Sequence, residues 1–196
     1  MKQLYIILLA LCFQFSFGYA QKSVNVKTSF DYVDSVNRGL LKEDTRKQSV
    51  KRKTVGKIGA AAIEINYSSP GVRGRIIWGG VVPYEEIWVA GAHLATTISI
   101  SHNMLLGGKE LKKGKYALFM IPRKGKWTVV INKNFEQHLT DEYDASMDVC
   151  RIEIAPVENN MQSRLTYTIQ PKSAQSGELI FAWEKVKLII PMKQIK

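Results

Sequence analysis

Residues 115–131 read K-Y-A-L-F-M-I-P-R-K-G-K-W-T-V-V-I. In the first half Tyr116, Leu118 and Met120 alternate with Ala117, Phe119 and Ile121, so a strand here is apolar on both faces. Such a strand belongs in the middle of a sheet, covered on both sides. Residues 123–126 form a compact basic turn, and Trp127, Val129 and Ile131 return as the second arm of a hairpin. The chain is therefore expected to be built from antiparallel strands around this hairpin.

Outward from it, the pattern stays that of a β protein. Ala61, Ile63, Ile65 and Tyr67 alternate with polar neighbours until Pro70, and Thr96, Ile98 and Ile100 alternate with the hydroxyls of Thr97, Ser99 and Ser101. A short strand is expected at 109–111, between two glycine turns. Further strands are expected at 149–155, 165–169, 178–184 and 186–190, separated by Pro156, Pro171 and Gly177. Residues 132–147 break the rhythm and read as a loop with a helical turn. About eight to ten short strands at this spacing predict an all-β fold, a single β-sandwich of jelly-roll-like or barrel-like form. No internal repeat is present.

Between two of these strands lies a different kind of segment, residues 68–97. Five glycines, two prolines and two tryptophans in thirty residues give neither helix nor plain strand. Glycine admits positive φ and close backbone approach, and proline fixes φ, so the segment is expected to be a chain of turns. Pro70, Gly71, Gly74, Gly79, Gly80, Pro83 and Gly91 would set its path.

At the N-terminus, Met1 and Lys2 precede an apolar run, and Gly18, Tyr19 and Ala20 follow it. That is the layout of a secretory signal peptide over residues 1–20, cleaved after Ala20. The run is shorter than the roughly 20 residues a spanning helix needs. Leu11 before Cys12 does not suit lipoprotein processing. The protein is thus expected to be exported, periplasmic or secreted. Its mature form keeps Cys150 as its one cysteine, with no internal disulfide. Residues 21–49 are expected to be an arm with a short helix around Tyr32, Val33 and Val36, for which Ser29 is an available N-cap. Residues 42–57 have no apolar period and read as a mobile basic linker. The packed domain is expected over 50–192, followed by a basic tail at 193–196.

The formal charge of the whole chain is +11. Residues 42–57 hold seven basic and two acidic side chains, and residues 109–133 hold eight basic side chains against Glu110. Basic clusters on an exported protein draw anions such as acidic glycans or anionic lipid headgroups. Nucleic acid is not expected, because no recognition motif accompanies the charge. These lysines also suit plain solvation of turns and of the arm.

Motifs for chemistry are sparse. His93, His102 and His138 stand apart, with no His-x-His or His-Glu-x-x-His pair, so no metal site and no cofactor are implied. No Gly-x-Ser-x-Gly elbow occurs, and Asp141, Glu142, Asp144 and Asp148 do not follow the calcium-loop spacing. Trp78 and Trp88, inside the turn-rich segment, are the tryptophans best placed for a ligand, with His93 and Arg75 beside them in sequence.

The chain from about residue 50 to 192 resembles an exported bacterial family called domain of unknown function 2911. The resemblance rests on Tyr67-Ser68, Pro70-Gly71-Val72, Gly74-Arg75, Trp78-Gly79, Val82-Pro83-Tyr84, Trp88, Gly91-Ala92 and Ala95-Thr96-Thr97. It continues through Gly114 to Phe119, Ile121-Pro122, Trp127-Thr128-Val129, Tyr143-Asp144, Asp148-Val149, Arg151 and Trp183-Glu184. It implies an exported all-β domain and no established activity. This chain departs from the family pattern at Ser69 and Val89, where the family favours arginine, at His93, where it favours asparagine, and at Leu94, where it favours an acidic or small residue. A further departure is His138-Leu139, near which the family carries a Trp-Gly pair. The expected function is non-catalytic binding of a glycan or other small or anionic ligand in the cell envelope, through Trp78, Trp88, His93 and Arg75. An envelope enzyme using His93 or the carboxylates of residues 141–148, and a structural subunit held by envelope proteins, are the alternatives.

Overall fold

The computed structural model describes residues 31–195. The expected signal peptide, Cys12, the segment 21–28 and the Ser29 cap lie outside the described residues. A short helix, α1 (Tyr32–Asn37), opens the described chain, capped by Asp31, whose carboxylate accepts from the Asp34 amide at 2.9 Å. Ten strands follow: β1 (Val50–Ile58), β2 (Ala61–Ser69), β3 (Thr97–Ile100), β4 (Met104–Leu106), β5 (Lys109–Leu111), β6 (Gly114–Ile121), β7 (Trp127–Asn132), β8 (Asp148–Ile154), β9 (Val157–Pro171) and β10 (Ser176–Gln194).

They form two antiparallel sheets, ordered β1-β2-β3-β6-β7-β8 and β5-β4-β10-β9, stacked as a sandwich and not closed into a barrel. β6 and β7 pair as the expected hairpin, with Phe119 opposite Val130. β6 lies between β3 and β7 and is buried on both faces. Leu118 and Met120 enter the core between the sheets with Ile63, Ile65, Ile98, Leu165, Leu179, Phe181 and Leu188. Ala117 and Phe119 enter a second, outer cluster with Val89, Ala95, Ile121 and Val130. The outer cluster exists because residues 85–97 and 133–147 fold over the far side of the larger sheet.

Two expectations are corrected. Residues 50–57 of the supposed mobile linker are strand β1, and residues 44–48 are packed against buried Arg164. The separate strands expected at 178–184 and 186–190 are one strand, β10, with register shifts around Glu184, which has φ of 55°. That strand also takes in Lys193 and Gln194 of the expected tail. The turn-rich segment does run as turns, with Gly74 and Gly79 at positive φ. Val81 donates to the Ile76 carbonyl at 3.0 Å and Val82 to that of Ile77 at 2.9 Å.

Candidate functional site

A cleft opens where the outer cover of the larger sheet ends. Strand register decides its floor: Lys51 is opposite Ser68, Asn66 opposite Thr97, and Ser99 opposite Lys115. Directly opposed residues share a face, so these side chains point away from the core that Ile65, Ile98 and Leu118 fill. Toward the other end of β6, Ala117 and Phe119 are sealed by the cover. At the Lys115 end the seal stops, and a cleft of about 610 Å³ lies between Lys51, Thr97 and Lys115 below and residues 94–95 and 135–142 above.

The roof is a loop in sequence but is tied down by side chains that break ordinary helix or strand patterns. The Asn132 amide donates to the Asp144 carbonyl at 2.9 Å and to the Asp148 carboxylate at 2.8 Å, while its oxygen accepts from the Asn134 amide. Asp148 also takes bonds from the Tyr143 hydroxyl and from Arg151, at 2.9 and 2.8 Å. Burial first, and then the hydrogen bond to Asp148, push the Tyr143 phenol up, so it stays a donor. The roof joins the turn-rich segment through Ala95 to the Gln137 carbonyl at 3.0 Å and Leu139 to the His93 carbonyl at 2.7 Å.

Two polar atoms of the lining have no partner. Thr97 Oγ1 and Gln137 Oε1 are both buried without a hydrogen bond, in residues only 7% and 4% exposed. The Gln137 amide nitrogen is used, donating to the Asn134 carbonyl at 2.7 Å, which fixes the side chain and leaves the oxygen as the unused end. Buried polar groups are ordinarily satisfied, so two such atoms in one cleft mark it out. Charges are also divided across it. Lys51 and Lys115 come from the sheet, Glu136 and Glu142 from the roof, and among the described residues none of the four forms an ion pair. Lys115 Nζ sits 4.7 Å from the centroid of Phe135. Arg52 also lines the cleft but is neutralised by Asp31 and Asp34 at 2.8 and 3.0 Å. Burial opposes its charge, and the Asp34 hydrogen bond together with nearby acidic fields outweighs that and raises its pKa. A second depression, over Val55, Ala62 and Ser101, has a mostly apolar lining with no unpartnered buried polar atom. Among the described residues no three His, Cys, Asp or Glu side chains gather as a metal site.

The four residues expected from sequence are placed elsewhere. Trp78 and Trp88 do meet, with centroids 5.9 Å apart, but inside an aromatic cluster. Trp78 also packs on Trp127 at 4.6 Å and Trp183 at 5.6 Å, and Trp88 stacks on Trp183. Both are half-buried there, Trp88 Nε1 donates to the Gly91 carbonyl at 3.2 Å, and Trp78 Nε1 is buried without a hydrogen bond. Arg75 turns back on its own loop, donating to the carbonyls of Gly71 and Val72. His93 is exposed at φ 64°, next to Leu94 on the cleft's rim. His138, on the same rim, holds Asp141 through Nδ1 at 3.2 Å.

Sequence reasoning missed Lys51, Thr97, Lys115 and Gln137. One signal for them existed: a central strand apolar on both faces requires an outer cover, and the hydroxyls of Thr97 and Ser99 show that this cover is incomplete. Of the departures expected from the family pattern, Leu94 is exposed on the cleft's rim and the others fall on structural positions. Ser69 is fully buried and bonds the Leu165 carbonyl at 2.7 Å, and Val89 packs in the outer cluster. His93 and Leu139 hold left-handed backbone, which Asn and His tolerate better than most residues and glycine tolerates freely.

Neither a curated protein nor a solved structure matches the chain. The family model described as a protein of unknown function (DUF2911) matches residues 49–192, and the chain belongs to that family.

Proposed function

We propose that this protein is an exported, non-catalytic binding module of the cell envelope that holds a small polar ligand in the cleft above β1, β2, β3 and β6. The observation that carries this reading is that two residues lining one cleft, Thr97 and Gln137, each hold a buried side-chain oxygen with no hydrogen bond. Leaving such atoms unpaired costs about 1–3 kcal/mol each, and a ligand that bonds them recovers it. The volume falls within the usual range for small-molecule sites. A binding role is preferred because, among the described residues, no hydrogen bond joins His138 to a serine, threonine or cysteine that it could activate. Export is supported by the residue pattern of positions 1–20. Because Trp78 and Trp88 are committed to the aromatic cluster, the reading rests on the cleft and not on stacking against them.

Thr97→Val tests it. The substitution replaces an unsatisfied hydroxyl with a methyl of similar shape, so the free protein should gain about 1 kcal/mol in urea unfolding. The same variant should lose the thermal-shift response to whichever small polar compounds stabilise the parent in a screen. A variant that keeps every response at full size would overturn the cleft reading.

A further inference from the structure

The proposed binding role leaves the chemistry of the ligand open, and the charge layout of the cleft narrows it. Residues 42–57 hold seven basic and two acidic side chains of a chain whose formal charge is +11, yet the cleft itself is balanced once Arg52 is set aside with its two aspartates. Lys51 and Lys115 rise from the sheet, and Glu136 and Glu142 descend from the roof. Opposite charges lining one small space ordinarily close on each other. Here they do not: the two lysines start from the sheet and the two glutamates from the tied-down loop, and none of the four has an ion-pair partner among the described residues, although the field of Lys115 also reaches Glu64 across Ser99 on the sheet. A purely anionic ligand would satisfy the floor and be repelled by the roof. A cation would meet the reverse.

Resting on that binding role, we propose that the cleft takes a zwitterion with an apolar side chain, an amino acid or a short peptide. Its carboxylate faces Lys51 and Lys115, and its ammonium faces the roof. Gln137 Oε1 can only accept, so it takes an N–H from the ligand, and an ammonium or amide nitrogen supplies one. Thr97 Oγ1 serves either sense. Leu94, 59% exposed on the rim, and the Phe135 ring offer the hydrocarbon contact that a bare polar ligand would leave unused. The cleft is larger than a single amino acid fills, and a di- or tripeptide carries the same two charged ends with donors between them.

The experiment uses the mature chain and isothermal titration calorimetry with four probes: L-leucine, dileucine, N-acetyl-L-leucine and L-leucinamide. Leucine or dileucine should bind at least ten times more tightly than both singly charged analogues, and the ratio between the two zwitterions distinguishes a free amino acid from a peptide. Lys51→Gln with Lys115→Gln, and separately Glu136→Gln with Glu142→Gln, should each weaken the zwitterion at least tenfold while leaving the fold intact, since all four residues are exposed. If N-acetyl-leucine binds as well as leucine and ignores the glutamate variants, the zwitterion proposal fails and the binding role stands. If no probe binds while the small-compound screen gives hits lost in Thr97→Val, the zwitterion proposal again fails alone. If neither the probes nor the screen gives binding, both fail.

Discussion

At Arg164 one side chain gathers several groups of the N-terminal arm onto the sandwich, alongside the Arg52 ion pairs and the Asn37 hydrogen bonds. It is fully buried, and its guanidinium reaches Asp44 Oδ1 from Nε at 2.9 Å and from Nη2 at 2.8 Å. Further bonds go to the carbonyls of Arg46, Gln48 and Ser69, and the Tyr32 ring lies 5.2 Å away. The planar five-donor fork makes all of these at once, which a lysine ammonium does not. A charge taken out of water is tolerated only with such partners, and Asp44 needs the arginine as much as the arginine needs it. Arg164→Met should therefore cost about 3–5 kcal/mol, because it leaves a largely buried carboxylate whose remaining donor is the Tyr32 hydroxyl. Urea unfolding checks this, and Arg164→Met with Asp44→Asn should recover part of the loss. A single variant that loses less than about 1 kcal/mol would mean that the arm is held by something else. Nothing in the sequence around Arg164 announces this role, since its partners lie more than 90 positions away.

Among the elements, the strands that were hard to read are those whose inward residues are not apolar. β1 carries Lys51, Lys53, Val55 and Lys57 outward, and inward it carries Arg52, Thr54 and Gly56. Arg52 is covered by the aspartates of the arm, Thr54 donates to the Tyr167 carbonyl at 3.0 Å, and Gly56 lies against Ile169. Each is satisfied by β9 or α1, so no hydrophobic alternation marks the strand. β10 hides differently: the bulge at Glu184 puts Glu184 and Lys185 where the apolar period breaks, and one strand reads as two. By contrast β2 alternates plainly because one face meets the core and the other is open, while β6 and β7 read as nearly continuous apolar runs because both of their faces are covered. The β4–β5 turn is a case where spacing showed a turn but not its packing. Gly107 and Gly108 both have positive φ, yet a Cβ on Gly107 would clash with the Ile152 side chain of β8, while one on Gly108 would meet nothing within 4 Å. Gly108→Ala should thus cost only the left-handed backbone term, roughly 1–2 kcal/mol. Gly107→Ala should cost more, roughly 2–4 kcal/mol, by adding overpacking between the two sheets. Equal shifts in thermal midpoint for the two variants would show that the turn does not press on β8.

Across the whole molecule, the two sheets and the turn-rich segment meet in one aromatic core, and two phenols sit within it. Tyr67 belongs to the larger sheet and Tyr167 to the smaller, with ring centroids 4.9 Å apart, and the Tyr167 hydroxyl donates to the Ala90 carbonyl at 2.7 Å. Burial pushes both phenols up, Tyr167 well above its ordinary value, with the field of Tyr67 adding to it. An unfolded tyrosine loses its proton near about pH 10. The native state keeps the proton beyond that point, so above it the unfolded state binds fewer protons and is favoured as pH rises. The stabilisation is complete below the unfolded value and is lost as pH climbs toward the folded one, with a slope of up to about 1.4 kcal/mol per pH unit for each phenol. Because one phenol lies in each sheet, the loss should unfold both sheets together. Lysine titration in the same range would blur this in the parent alone, and comparison with Tyr167→Phe removes it. At pH 7 that variant should be less stable by about 1 kcal/mol, the net worth of the lost hydrogen bond, since the Ala90 carbonyl still accepts from Thr96. As pH rises from 9 to 11 the gap should close and then reverse, because the variant has one fewer proton to lose. Urea unfolding free energies of both proteins across that range measure the gap directly. A gap that stays constant would show that Tyr167 does not couple the fold to alkaline pH.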